Sequence, residues 1–252
     1  SSAIATSAGG MDRILGGIWV YLAGSPLLWL TVTLAVYLAG QWLFRRSGGR
    51  ALFNPVALAI TLLVLLLLLT GTPYASYFSG AQFIHFLLGP ATVALAIPLY
   101  LHWERVRRLF LPIVVGLVSG SLTAILSAIG IAWLLGGSPQ TLLSMAPKSV
   151  TTPVAMGITE KIGGLPSLTA VMVILTGVVG AIAAPALLEW LRVRDDAVKG
   201  FAIGVAAHGI GTARAFQIST LAGAFSGLAI GLNALLTTLL APLIVRLLHL
   251  SP

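Results

Sequence analysis

Two short runs of polar and basic residues lie within stretches of the chain that are otherwise apolar. The first run reads APKSVTTPVAMG at residues 146–157, and the second reads AAHGIGTARAF at residues 206–216. An interrupted helix exposes free N–H groups and the positive end of its dipole, and both favour anions. Amine, guanidinium and hydroxyl groups beside such breaks therefore predict recognition of a small anion.

The candidate binding residues share a position beside a predicted helix interruption. The candidates are Lys148, Ser149, Thr151 and Thr152 in the first run, and His208, Gly209, Gly211, Thr212 and Arg214 in the second. A further interruption, LLGPAT at residues 87–92, adds Thr92 and backbone groups. Lysine supplies a full charge, arginine a fork that matches a carboxylate, and glycine a close approach of the backbone.

Several of these residues also have a simpler structural interpretation. Lys148 and Lys161 are both long enough to reach the lipid headgroups, and we favour that interpretation for Lys161. Arg214 is a substrate ligand, a charge of an inner loop or a partner for Glu160, which is itself a candidate gate or counter-ion. His208 is suited to substrate binding, to proton transfer or to helix packing.

One more candidate, Asn54, stands immediately before Pro55 at the start of an apolar segment. Asparagine before a proline is typical of a helix N-terminus, where its side chain caps free N–H groups. A place for Asn54 in the substrate pathway is the second interpretation.

The elements that position these residues are predicted to be membrane helices. Of 252 residues, 58% are hydrophobic and 8% are charged, whereas about a quarter of an ordinary soluble domain is charged. Segments such as 57–69 are apolar on every face, unlike the alternating strands of a membrane barrel. We therefore predict an all-α polytopic membrane protein, with residues 11–252 forming one domain and residues 1–10 a cloning remnant before Met11.

Five segments are long enough to cross a bilayer core, which needs about 20 apolar residues per helix. They are residues 26–44, 51–70, 109–135, 168–191 and about 221–248. Three more segments are apolar but interrupted by glycine or proline, and these predict discontinuous or re-entrant helices. They are residues 77–102, 141–162 and 197–217.

Clusters of basic residues predict the orientation of the helices. The clusters are Arg45, Arg46 and Arg50; Arg105, Arg107 and Arg108; and Arg192, Arg194 and Lys199. By the positive-inside rule all three should face the cytoplasm. The segment that contains APKSVTTP must then enter and leave the membrane from the outer side, as a hairpin.

Comparison of the sequence with itself indicates an inverted repeat. When residues 89–100 are aligned with residues 146–157, Pro90 pairs with Pro147, and further along Trp133 pairs with Trp190. Each copy would contain a broken half-helix followed by a long span, and the two spans would run in opposite directions. Inverted repeats with broken helices near the midplane are a recurrent design of secondary transporters that work by alternating access.

Other classes of function are poorly matched by the sequence. The chain contains no HExxH, GxSxG or Walker motif and only 6 acidic residues, so we expect neither an enzyme nor a metal or cofactor site. With no cysteine, disulfides and thiolate chemistry are excluded. The net charge of +8 comes mainly from loops beside apolar spans, which argues against binding of nucleic acid.

Four stretches resemble the LrgB/CidB family of bacterial membrane proteins. They are FLLGPATVALAIPLY at 86–100, PKSVTTPVAMGI at 147–158, GGLPSLTAVMVILTGVVGA at 163–181 and VAAHGIGTARAF at 205–216. The resemblance covers nearly everything after Met11. Family members often have an acidic residue where this chain has Gly157, which weakens any role for a carboxylate there, and often lysine where it has Arg214.

The resemblance implies two rival functions. One is transport of small monocarboxylates, as in the chloroplast glycolate/glycerate translocator and in bacterial members linked to pyruvate; the other is holin-like or antiholin-like regulation of murein hydrolase activity and lysis. The interrupted helices favour a carrier of the glycolate, glycerate, pyruvate or lactate class. The expected setting is the bacterial inner membrane, with a second copy of the chain and an LrgA/CidA-like membrane protein as partners.

Overall fold

The computed structural model describes residues 25–48, 53–87, 90, 94 and 96–250. Throughout these ranges the regular structure is helical, and no strand occurs in them. The predicted all-α membrane architecture is therefore confirmed. The chain divides into two compact units, residues 1–91 and 92–252.

The first unit contains three described helices, α1 (Pro26–Arg46), α2 (Pro55–Thr70) and α3 (Tyr74–Phe86). Helices α2 and α3 both pack against α1. Asn54 caps α2, since its Oδ1 accepts from the backbone N–H groups of Val56 at 2.9 Å and Ala57 at 3.1 Å. Capping accounts for this buried side chain, which satisfies two of the free donors at the helix start.

The second unit contains eight described helices. They are α4 (Ala96–Leu101), α5 (Trp103–Arg108), α6 (Phe110–Leu134), α7 (Pro139–Met145), α8 (Thr152–Ile162), α9 (Pro166–Trp190), α10 (Asp196–Ile218) and α11 (Thr220–Leu247). The predicted interruption at Gly89 and Pro90 falls mainly on residues outside the described part of the chain.

Four of the described helices, α1, α6, α9 and α11, are long and apolar enough to cross a membrane. They coincide with four of the five predicted spans, which are thereby confirmed as long apolar helices. The fifth predicted span, residues 51–70, corresponds to α2, an apolar helix of 16 residues. Its first two residues lie outside the described part of the chain.

An ion pair brings two of the basic clusters to one end of the second unit. Arg105 Nη2 lies 2.6 Å from Asp195 Oδ2, which joins the segment before α6 to the loop between α9 and α10. We call this the basic end of the unit. Helices α6 and α11 start there and α9 ends there, so α6 and α11 run in one direction and α9 in the other.

Helix α10 reverses direction at its middle, where Ala207 and His208 have non-helical backbone angles. A Cβ built on Gly211 would lie 2.9 Å from Ile203 Cγ2, although residues eight apart on a straight helix are about 12 Å apart along the axis. The carboxylate of Asp196, at the start of α10, interacts with the side chain of Ser219, just past its end. Helix α10 is therefore a hairpin of two half-helices with both ends at the basic end.

Helices α7 and α8 form a second hairpin, at the opposite end of the unit. Ser144, in α7, accepts a hydrogen bond from the backbone N–H of Leu165 at 2.7 Å, and Thr169 donates to the Ser144 carbonyl at 2.9 Å. The chain therefore returns to the level of α7 after passing through α8. Residues 146–151, which join the two helices, form the tip.

Helices α10 and α11 approach each other most closely along Gly200 and Gly204. A Cβ on Gly200 would overlap the carbonyl oxygen of Ala222, and one on Gly204 would overlap that of Ser226. Small residues four apart allow this approach of two backbones inside a membrane, where packing contacts must stabilise helix pairs. The first half of α10 is thereby fixed against α11.

Asp195 also caps α10, and we expect its loss to lower stability. Its Oδ1 accepts from the N–H groups of Ala197 at 2.8 Å and Val198 at 3.3 Å. Asp195→Ala should lower the free energy of unfolding by about 1 kcal/mol, as the loss of an N-cap typically does. Asp195→Asn keeps the cap and removes only the half-exposed ion pair with Arg105, so its loss should be smaller. Thermal unfolding in detergent measures both.

The stabilisation by the Asp195 carboxylate depends on pH. Partial burial raises the pKa of Asp195, but the N–H groups of Ala197 and Val198 and the Arg105 guanidinium outweigh it and hold the pKa below its ordinary value of 3.8. The stabilisation is therefore complete above pH 3.8 and is lost as the pH falls through the lowered pKa of the folded state. The difference in thermal stability between the parent and Asp195→Asn should vanish as the pH falls through the same range.

Candidate functional site

An open cavity of about 910 Å³ lies in the second unit. Helix α6 lines it from Pro112 to Ala124, α9 from Met172 to Gly180, and the first half of α10 from Val198 to Ala206. Most of the lining is apolar. The described polar residues of the lining are Ser119, Thr123, Lys148, Ser149 and Thr176.

Lys148 is the only ionisable residue among the described residues of the lining. It lies in the tip between α7 and α8 and is half-buried. Its Nζ is 3.4 Å from Ser149 Oγ, and the acidic side chains that form ion pairs in the described part of the chain pair with Arg105, Arg108 and Lys199 instead. The amine is thus held in an apolar cavity with a hydroxyl group as its hydrogen-bond partner.

The other candidates of the first run lie at the start of α8. Thr151 is the N-cap residue of that helix, and its side chain makes no capping hydrogen bond. Thr152 is the first helical residue, and Pro153 follows it. Ser149 is buried and lines the cavity, whereas the described lining includes neither threonine.

His208, from the second run, is buried against α9. Its Nε2 lies 2.8 Å from the carbonyl oxygen of Val173, and a Cβ on Gly177 would lie 2.7 Å from its Cε1. Its φ of 40° is unusual for a residue with a side chain. These contacts fix the ring in the turn of the α10 hairpin.

The neighbours of His208 mainly connect the hairpin to α11. Thr212 Oγ1 lies 2.9 Å from the His208 carbonyl oxygen and 2.7 Å from Ser226 Oγ. Gly211 packs against Ile203, while a Cβ on Gly209 would meet nothing within 4 Å in the described structure. The described lining of the cavity includes none of these residues.

The first run is connected to the residue just before the second run by Asn233, which the sequence patterns did not single out. Its Nδ2 donates to the carbonyl oxygens of Ser149 at 3.3 Å and Val205 at 3.0 Å. Ser149 belongs to the first tip, and Val205 immediately precedes the turn of α10. The sequence did contain a signal for Asn233, since it is a single amide in the middle of an otherwise apolar span. Such a group is costly in a membrane and therefore indicates a specific role.

The remaining candidates lie elsewhere. Arg214 Nη1 donates to Gln217 Oε1 at 2.8 Å in the second half of α10, and the described lining of the cavity excludes it. Glu160 is exposed near the opposite end, in a separate depression that also contains Lys161 and Arg246. Asn54 belongs to the first unit, and Thr92 lies outside the described residues. A substrate role for these residues stays a prediction.

Among the described residues, no group of three or more His, Asp or Glu side chains is placed to hold a metal ion. The chemistry of the cavity itself is that of one amine, four hydroxyls and an apolar wall. Such a set can bind a carboxylate and hydrogen-bond a second oxygen of the same molecule.

Comparison with known proteins identifies the family. The profile of the LrgB-like family matches residues 33–247. This chain belongs to the LrgB-like family. The resemblance recognised from the motifs is thereby confirmed, and the match covers both hairpins of this LrgB-like chain together with α6, α9 and α11.

Relatives of this LrgB-like chain align along most of their length. YwbG and YxaC of Bacillus subtilis, both named as uncharacterized proteins, are 37% and 38% identical over 216 and 220 residues. The alignments cover 86% and 87% of this chain and 96% and 95% of those proteins. A Bacillus cereus protein named antiholin-like protein LrgB is 30% identical over 219 residues, 87% of this chain and 95% of its own. No solved structure matches.

Proposed function

We propose that this LrgB-like protein is a secondary carrier of small monocarboxylates in the bacterial inner membrane. The observation that carries the proposal is Lys148, whose amine lies in a large apolar cavity with Ser149 Oγ as its partner at 3.4 Å. A lysine at membrane depth is costly unless a counter-charge accompanies it. A substrate carboxylate supplies that charge and leaves again, as transport requires.

The hydroxyls of the cavity favour an acid with a second oxygen next to its carboxylate. Thr123 and Thr176 both line the cavity, and their hydroxyls make no hydrogen bond to the part of the chain that the structure describes. Each is available to a 2-hydroxy or 2-oxo group, as in glycolate, lactate or pyruvate. The apolar wall accommodates the short carbon chain of such an acid.

The arrangement of the helices supports movement of the substrate between two sides. One hairpin enters the second unit from the basic end and the other from the opposite end, and Asn233 contacts both beside the cavity. Discontinuous helices that meet near the middle of the membrane are typical of secondary transporters. Alternating access by movement of this broken-helix region as a whole is the proposed mechanism.

Purified protein in liposomes tests the carrier function directly. We expect saturable uptake of labelled glycolate, lactate or pyruvate, accelerated when the liposomes are loaded with one of the same acids. A dicarboxylate of similar size should compete poorly, because the second charge would face the apolar wall. Release of a large trapped dye without saturation would contradict a carrier and indicate a pore.

The name of the Bacillus cereus relative favours a second function, antiholin-like regulation of lysis. None of the three relatives described above has a name that refers to transport, so the names support this function more directly than they support a carrier. An LrgA-like membrane protein and a second copy of the chain are the partners proposed for it. Altered organic-acid balance would connect the two functions.

A further inference from the structure

Asn233 lies at the middle of α11 and is almost completely buried, with 1% of its surface exposed. Its Oδ1 accepts from Ser121 Oγ at 2.6 Å and Thr237 Oγ1 at 3.3 Å. Its Nδ2 donates to the carbonyl oxygens of Ser149 and Val205. Both donors and the acceptor of the amide are therefore in use.

The two carbonyl groups that Asn233 binds belong to the two hairpins. In an uninterrupted helix the carbonyl of Val205 would accept from the N–H four residues later, but the turn at Ala207 and His208 intervenes. The carbonyl of Ser149 lies in the non-helical tip between α7 and α8. Backbone carbonyls inside a membrane need a partner from the protein when the helix does not supply one.

We propose that Asn233 is a positioning residue that ties the α7–α8 tip to the turn of α10, so that the two hairpins move together. Each Nδ2 hydrogen goes to a different hairpin, and α11 is the only element that both bonds share. Because Ser149 adjoins Lys148, a shift of the α10 turn is transmitted to the residues around the amine. The inference deepens the proposed carrier function, on which its transport measurement rests.

Hydrogen–deuterium exchange tests the connection without reference to transport. Asn233→Leu has a similar volume and removes both amide–carbonyl bonds. We expect amide exchange in residues 146–151 and in residues 205–209 to rise together, by about tenfold, as loss of a buried hydrogen bond implies. Thr237→Val removes a hydroxyl that donates to Asn233 Oδ1 but leaves both bonds from Nδ2 in place. Amide exchange in both segments should then keep the parent rate.

A purely local or a general effect on stability would overturn the inference. Faster exchange in one segment alone shows that the hairpins are independent, and equal acceleration throughout α6, α9 and α11 shows only a weakened fold. If Asn233→Leu yields no folded protein, Asn233→Ala replaces it, since alanine also has no donor for either carbonyl. The same paired rise is then expected, and its absence overturns the inference.

Uptake into liposomes separates this inference from the carrier function. If the parent transports, Asn233→Leu should lower kcat about tenfold and change KM less than about twofold, because binding at Lys148 survives while coupled movement fails. If Asn233→Leu transports at the rate of the parent, the positioning role is overturned and the proposed carrier function is unaffected. A parent without saturable uptake contradicts the carrier, and the exchange measurement then decides the role of Asn233 alone.

Discussion

Lys148→Met should reduce carboxylate uptake by about 10- to 100-fold, the loss expected when a hydrogen bond to a charged group disappears. Methionine has a similar length and an apolar end, so it fills the same space in the cavity. A carboxylate that enters would then lose its hydration without gaining a counter-charge. Initial rates of labelled pyruvate or glycolate uptake into liposomes measure the effect, with the folded yield as a check.

Lys161→Met provides a matched control. Lys161 lies in α8, a few turns from the same tip, but it is exposed and belongs to the depression beside Arg246. Its replacement should leave uptake at the parent rate. Lys148→Arg keeps the charge with a different shape, and we expect it to retain part of the uptake. Uptake by Lys148→Met at the rate of the parent would remove Lys148 from the binding site.

The Lys148 variant also separates the two proposed functions. If an effect on lysis arises from organic-acid transport, Lys148→Met should abolish it in cells together with uptake. If the effect requires only a contact with another membrane protein, it should persist in a variant that folds normally. Lysis of cells expressing each variant, measured beside uptake, distinguishes these outcomes.

Gly200→Ala should destabilise the second unit by about 3 kcal/mol or more, at the upper end of what overpacking costs. The added Cβ would overlap the carbonyl oxygen of Ala222 and lie 2.6 Å from its carbonyl carbon and 2.7 Å from its Cα. These are backbone atoms, which cannot move aside as a flexible side chain does. Helices α10 and α11 must therefore separate along the contact that includes Gly204.

The measurement is thermal unfolding in detergent, combined with the yield of monodisperse protein. Gly231→Ala is the control, because a Cβ at Gly231 would meet nothing within 4 Å in the described structure. That variant should be neutral or slightly more stable, since alanine exceeds glycine in helix propensity by about 1 kcal/mol. Equal stability of Gly200→Ala and the parent would show that the two helices are less closely packed than the structure indicates.

The membrane spans could be predicted from the sequence because a bilayer imposes a simple requirement on composition. A helix in lipid must be apolar over about 20 residues, and the segments that became α6, α9 and α11 satisfy it. Helix ends were predictable to within a few residues where proline or a basic cluster marks them, as at Pro26 and Pro166.

The interior of the site was less accessible to sequence reasoning. Lys148 and Ser149 could be selected because charge and hydroxyl groups are exceptional in such a chain. Asn233 could not be assigned a partner, since its bonds join residues 84 and 28 positions away. His208 illustrates the same difficulty, because one imidazole suits substrate binding or packing equally well until its neighbour Val173 is known.

The ion pair between Arg105 and Asp195 determines how many times the chain crosses the membrane, a number that helix length alone would not give. Helix α10 contributes 23 residues, enough for a crossing by length, yet it leaves the unit on the side where it entered. The hairpin of α7 and α8 does the same on the other side. From α6 onward the described chain therefore changes sides three times rather than four, and α11 ends on the side opposite Arg105.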